Sequence, residues 1–184
     1  MSEAIALTTD QLPQRLGTLK AGDRVLLTGT IYTARDAAHK RIFQLLDEGK
    51  PLPFPLKGAV IYYAGPTPGQ QGMAVGACGP TTAGRMDAFA PRLLDLGLTA
   101  MIGKGERSQP VVDAIVRNGA CYFAAVGGAG ALIARCIKSA QVIAFDELGC
   151  ESVKRMEVED LPLTVAVDSQ GNDLFQIGRS QYAK

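Results

Sequence analysis

Residues 98–126 read LTAMIGKGERSQPVVDAIVRNGACYFAAV, and they divide into an apolar strand at 98–102, a helix over 107–118 and a second strand at 120–126. Strand, helix and strand in succession are the repeating unit of an α/β fold. The alternation continues outward in both directions. Towards the C-terminus a helix is predicted over 128–138 and a strand at 140–145 (AQVIAF). Towards the N-terminus lie a predicted helix over 84–96 and an apolar strand at Ala59–Tyr63. Arg24–Tyr32 (RVLLTGTIY), rich in Val, Leu, Ile and Thr, is a further strand. Asp36–Glu48 has apolar residues at 38, 42, 45 and 46, a helical spacing that Gly49 closes. Lys50–Leu56 (KPLPFPL) carries three prolines and is a loop. Beyond Leu161 the character changes: 163–168 (LTVAVD) and 174–177 (LFQI) flank Ser169–Asp173, which predicts a closing β-hairpin. No repeat, low-complexity stretch or linker interrupts the chain. The expectation is one α/β domain over residues 1–184, with mixed rather than purely parallel strands.

Composition excludes several functions. The 184 residues carry 19 Lys and Arg against 18 Asp and Glu, a net charge of +1, with no basic run. That is no nucleic-acid or membrane-surface footprint. With no Trp, six Phe and five Tyr, a base-stacking platform is not expected either. The N-terminal Met1-Ser2-Glu3-Ala4-Ile5 has neither a basic n-region nor an apolar h-region, and no apolar run reaches the ~18 residues of a membrane helix, so a cytoplasmic protein is expected. Cysteines stand at 78, 121, 136 and 150, with gaps of 43, 15 and 14 residues that match no zinc or iron–sulfur spacing. Cys121 and Cys136 read as small core residues. No metal is expected to be held by this chain alone.

Three segments place positive charge beside glycines or helix starts. In Thr33–His39, at a strand-to-helix junction, Arg35 and His39 are four apart and share a helical face. In Gly76–Asp87 a loop bearing Thr81 and Thr82 is predicted to open a helix whose first N–H groups face an anion, with Arg85 one turn on. In Ile102–Glu106, Gly103 and Gly105 flank Lys104 at a strand end. Each has a plainer explanation: an Arg35–Asp36 ion pair at a helix start, an N-capping Thr81 or Thr82, and a solvated Lys104. Together, two Arg, one Lys and a hydroxyl loop, all following strands, suit the gripping of carboxylates where α/β sheets bind ligands. A fourth segment, Val126–Leu132 (VGGAGAL), follows a strand as a dinucleotide fingerprint does. However, Ile133 falls where close helix packing needs Gly or Ala, so tight packing or a carboxylate-facing loop is the better reading.

These stretches, in this order, resemble the beta subunit of class I fumarate hydratase, equivalent to the C-terminal domain of the single-chain enzymes. The matching pieces are TARDAAHKR (33–41), YYAGPTP (62–68), GPTTAGRMD (79–87), IGKG (102–105), VGGAGAL (126–132), ELGCESV (147–153) and VDSQGNDLF (167–175). The L-tartrate dehydratase beta subunit is similar across the same pieces. The resemblance implies a swivelling β/β/α domain of three layers with a mixed sheet. It also implies a hydro-lyase that interconverts (S)-malate with fumarate and water, active only with a cysteine-bearing alpha subunit. That partner's three cysteines would hold a [4Fe–4S] cluster, whose fourth iron would bind the substrate as a Lewis acid. By motif, Arg35, Arg85 and Lys104 would hold the substrate carboxylates. Thr81 would be the base, its alkoxide stabilised by cations such as Arg35, with Asp36 and His39 orienting Arg35 from behind. The resemblance further implies beta–beta self-association within a heterotetramer. Cys78 departs from the small Ser or Ala expected before GPTT. It is either a resting-state ligand of the fourth iron or, preferably, a small-residue replacement. Two alternatives stay open: the L-tartrate dehydratase beta subunit, and a non-catalytic anion-binding scaffold module of the same fold.

Overall fold

The β-branched and aromatic runs of the sequence form strands that share one sheet. In the computed structural model, which describes residues 3–183, these are β1 (Ile5–Thr8), β2 (Arg24–Thr33), β3 (Val60–Tyr62), β4 (Ala100–Gly103), β5 (Cys121–Ala124), β6 (Ile137–Ala144) and β7 (Val153–Val167). Met1 and Ser2, at the expected leaderless start, and Lys184, at the expected domain end, lie outside the described residues. The helices are α1 (Leu12–Arg15), α2 (Asp36–Asp47), α3 (Ala90–Asp95), α4 (Gln109–Asn118), α5 (Gly130–Cys136) and α6 (Leu174–Tyr182). The result is a mixed α/β fold, as the alternation predicts.

Strands β1 to β5 run parallel in the order β1-β2-β3-β4-β5, with registers such as Tyr62↔Ile102 and Gly103↔Ala124. The 15-residue β7 is antiparallel to both β5 and β2, while β6 pairs along its outer half. Because β7 touches both flanks, β2, β3, β4, β5 and β7 close into a ring. Period-2 alternation then sorts the side chains into two cores. Val25, Leu27, Ile31, Tyr62, Ile102, Phe123, Leu161 and Val165 form one with Leu12 and Leu16 of the α1 region and Ile133 of α5. Ile61, Tyr63, Met101 and Tyr122 form the other with Ala38 and Ile42 of α2, Leu93 and Leu94 of α3, and Val111 and Ile115 of α4. The long β7 bends where its register against β2 shifts. There Gly29 has φ 127°, and a Cβ on it would lie 2.3 Å from the Thr9 hydroxyl oxygen, so only glycine fits.

Three local expectations need correction, and two strand segments come unsignalled. Residues 174–177 are not the second strand of a hairpin but the start of α6, because the Asp173 carboxylate accepts from the Phe175 N–H and caps a helix. The expected helix over 84–96 is two pieces, a 3-10 turn at Ala83–Met86 and then α3. Asp87, between them, is held away from the helix by Arg107 and by the Ser108 N–H, and Pro91 starts α3 afresh. The Thr81–Thr82 loop therefore opens no α-helix. Finally, β1 and residues 153–160 of β7 are strands that apolar runs alone did not signal.

Candidate active site

Parallel strands place all their C-terminal ends at one edge, so the loops after β2, β3, β4 and β5 meet there. Those loops are the segments that carry Arg35, Gly65, Lys104 and the glycines 127–130. The GPTT stretch returns to the same edge as an added short strand. Ala64 bridges Pro80 antiparallel and Thr82 bridges Lys104 in parallel. The Thr81 N–H donates to the Tyr63 carbonyl at 2.7 Å, and the Lys104 N–H donates to the Thr81 carbonyl at 3.2 Å. Thr81 is thereby wedged between the extensions of β3 and β4, next to Lys104.

Arg35 stands in extended backbone before α2, its side chain 21% exposed. It does not pair with Asp36. Its Nη2 lies 3.6 Å from Glu151 Oε1, and Glu151 Oε2 accepts from the Ala37 N–H at 3.0 Å at the start of α2. Asp36 instead pairs with Arg85: Nε donates to Oδ1 at 2.9 Å, and Nη2 lies 2.9 Å from Oδ2. The two arginines are thus tied to α2 by separate carboxylates. Gly65 permits the close approach, since a Cβ there would lie 2.8 Å from Arg35 Nη1. The Arg35 Nε–H is buried and has no acceptor among the described residues. Such a donor is costly to leave unmet, and it fits an incoming carboxylate oxygen.

Lys104 is exposed and forms no ion pair among the described residues. Its aliphatic stem leans over Gly127, where a Cβ would sit 3.5 Å from Lys104 Cδ. The glycine-rich loop is anchored in turn by the Cys78 N–H, which donates to the Gly130 carbonyl at 3.0 Å. Tight packing explains Gly130, where a Cβ would lie 3.1 Å from the Gly79 nitrogen, whereas Gly128 faces open space with a φ of 81°. Neither Thr81 nor Thr82 caps the 3-10 turn that follows among the described residues. The capping explanation for these threonines fails.

His39 is fully buried, and burial pushes its imidazole down to about 4, so it is neutral at pH 7. Its Nδ1 sits 2.8 Å from the Arg35 carbonyl, which can only accept, so Nδ1 carries the proton. Sequence reasoning placed Asp36 and His39 behind Arg35. His39 does contact the Arg35 backbone, whereas Asp36 contacts Arg85. It missed Glu151, a residue of the quoted ELGCESV stretch whose partners come from a strand junction over a hundred residues away. It also missed Tyr63, Asp87 and Arg107, considered below.

The cysteines do not suit an iron–sulfur cluster. Cys78 and Cys121 are fully buried among apolar side chains, and burial pushes the Cys78 thiol up to about 12. A thiol so hard to deprotonate is a poor metal ligand. Cys136 is half-buried against the same core and Cys150 is exposed. Among the described residues no three His, Cys, Asp or Glu side chains gather as a ligand set. A cavity of 260 Å³ beside Cys150 and Lys154 is lined mainly by Pro66, Pro68, Val75 and Val142.

Comparison with known proteins fits this geometry. The sequence pattern of the family described as Fumarase C-terminus matches residues 1–178. The chain is 43% identical over 168 residues to Fumarate hydratase 2 of Leishmania major, covering 90% of this chain and 30% of that protein. It is 45% identical over 155 residues to the anaerobic class I fumarate hydratase of Escherichia coli K12, covering 83% and 28%. It is 38% identical over 173 residues to the putative L(+)-tartrate dehydratase subunit beta of Methanocaldococcus jannaschii, covering 90% and 89%. The chain therefore spans about a third or less of the fumarate hydratases it matches and nearly all of the tartrate dehydratase subunit. With its residues matched almost from end to end, the chain belongs to the Fumarase C-terminus family.

Proposed function

We propose that this chain is the beta component of a class I fumarate hydratase, a hydro-lyase interconverting (S)-malate with fumarate and water. The observation that carries the reading is the cationic edge: among the described residues Lys104, next to Thr81, has no ion-pair partner, and the Arg35 Nε–H is unmet. Arg35, Arg85 and Lys104 hold the two substrate carboxylates. Thr81 takes the proton from the carbon next to a carboxylate, with the neighbouring cations favouring its alkoxide. The cluster is held by a cysteine-bearing alpha subunit, not by this chain, and supplies Lewis acidity for loss of the hydroxyl. Val126 and Leu132, 67% and 64% exposed at the ends of the glycine loop, support a partner seated over the edge. The domain swivels as one unit to close on that partner, in a three-layer arrangement, within a cytoplasmic heterotetramer that pairs two beta chains.

A second reading, L-tartrate dehydratase beta subunit, is favoured by the near-complete coverage of the Methanocaldococcus jannaschii protein. The two substrates differ by one hydroxyl. Anaerobic reconstitution with a cysteine-bearing alpha subunit, followed by assays on (S)-malate and L-tartrate, separates them. The isolated chain is expected to be colourless and inactive, and the complex to sediment as a heterotetramer turning over malate. Turnover of tartrate alone selects the second reading. A cluster-loaded complex active on neither acid leaves an anion-binding scaffold.

A further inference from the structure

Behind the cationic edge lies a polar cluster with no part in the reading above. Arg107 has a fully buried side chain. Its Nε donates to Asp87 Oδ1 at 2.7 Å, and its Nη1 points at the Met101 sulfur at 3.3 Å. The guanidinium carbon stands 5.4 Å from the Tyr63 ring centre and 4.9 Å from that of Tyr122. The His39 and Tyr63 rings meet edge-on, with centres 5.6 Å apart. Three buried polar atoms here have no hydrogen-bond partner among the described residues: Arg107 Nη2, the Tyr63 hydroxyl oxygen and His39 Nε2. Buried polar groups are almost always paired, so three orphans on adjoining side chains point to one another.

Their chemistry allows a single order. His39 Nδ1 must donate, because it faces the Arg35 carbonyl, so neutral His39 offers Nε2 only as an acceptor. Tyr63 must then give its O–H to Nε2, and its oxygen is left to accept from Arg107 Nη2, which can only donate. We propose that Arg107, Tyr63 and His39 form a buried relay, each donating to the next and the last to the Arg35 carbonyl, which positions the backbone of Arg35 and Thr81. The last link, from His39 Nδ1 to the Arg35 carbonyl, is direct at 2.8 Å; the other two, whose atoms make no direct hydrogen bond, each run through a single water, which keeps the donor order. Tyr63 is the hub. Its carbonyl accepts the Thr81 N–H at 2.7 Å, and its ring is pressed on β4, where a Cβ at Gly103 would lie 2.9 Å from Tyr63 Cδ2. Tyr63 thus reaches Arg35 through its side chain and His39, and Thr81 through its own backbone carbonyl. Tyr63, His39 and Arg107 are positioning residues, and their service to catalysis rests on the hydro-lyase reading.

His39 is the chain's only histidine, so imidazole ¹⁵N resonances of the labelled chain report on it alone. The groups facing it are Arg107, Asp36, Tyr63 and the Arg35 carbonyl. The expected spectrum shows a protonated Nδ1 and a hydrogen-bonded, unprotonated Nε2, unchanged from neutral pH to about pH 5. A protonated Nε2 in that range overturns the relay. Tyr63→Phe should move the Nε2 resonance to that of a free nitrogen and speed amide exchange at His39 and Thr81 about tenfold or more beyond what its loss of global stability accounts for. An unmoved Nε2 or unchanged exchange overturns it too. Should Tyr63→Phe not fold, the parent chain decides: an Nε2 resonance of a free nitrogen at neutral pH overturns the relay. In the reconstituted complex Tyr63→Phe should lower kcat/KM for (S)-malate about 10–100-fold, as loss of supporting residues commonly does. A wild-type complex inactive on malate refutes the hydro-lyase reading and leaves the relay to the spectra. Normal kcat/KM in an active Tyr63→Phe complex refutes only its catalytic service.

Discussion

Thr81 and Lys104 are neighbours in one short ladder, yet their expected roles separate in kinetics. A base acts only in the transition state, whereas a cation holding a carboxylate also contacts the bound ground state. Thr81→Ala in the reconstituted complex should therefore lower kcat about 10²–10⁴-fold while leaving the affinity of a dicarboxylate inhibitor nearly unchanged. Lys104→Ala should weaken inhibitor binding as well. Since the Thr81 side chain caps nothing, the melting temperature should barely move. Kinetics, inhibitor titration and melting on the two variants check this, and near-normal turnover by Thr81→Ala would remove it from the mechanism. Arg35 shows how a residue's surroundings escape a local reading. The sequence sets it beside Asp36, but folding gives it Glu151 and gives Asp36 to Arg85.

Among the elements, α6 relies most on a single residue. None of its residues is fully buried, Phe175 packs half-buried on the core, and the Asp173 cap satisfies a first-turn N–H. Asp173→Ala should cost about 1 kcal/mol and reduce helicity, whereas Asp173→Ser should retain most of both. Thermal melts with far-ultraviolet circular dichroism measure the two together. A hairpin at this place would be indifferent to the cap, so a neutral Asp173→Ala would reopen the assignment of 174–177. The β-hairpin expectation failed because a four-residue apolar run has no period of its own, and only the cap distinguishes helix from strand there.

On the scale of the whole molecule, the buried His39 links stability to pH. The unfolded chain takes up its imidazole proton as the pH falls through 6.5, while the folded chain resists until about 4. Between those values the unfolded state binds more protons. The contribution is therefore complete above pH 6.5 and is lost as the pH falls towards 4, by about 3 kcal/mol. Urea unfolding at pH 7 and at pH 4.5 should show a smaller acid loss in His39→Asn than in the parent chain, and equal losses would show that His39 is not held neutral. The α/β class, most strand and helix positions, and the candidate residues Arg35, Thr81, Arg85 and Lys104 were legible in the order of amino acids alone. Those follow from hydrophobic period, turn residues and short motifs, which are properties of neighbours in the chain. Tertiary structure alone decided that β7 closes the strands into a ring, that Glu151 meets Arg35, and that Arg107 lies buried behind the edge against Tyr63 and Asp87. A charged residue at the start of a predicted helix reads as solvated, and its burial follows only when distant strands and loops supply Asp87 and two aromatic faces to offset the loss of water.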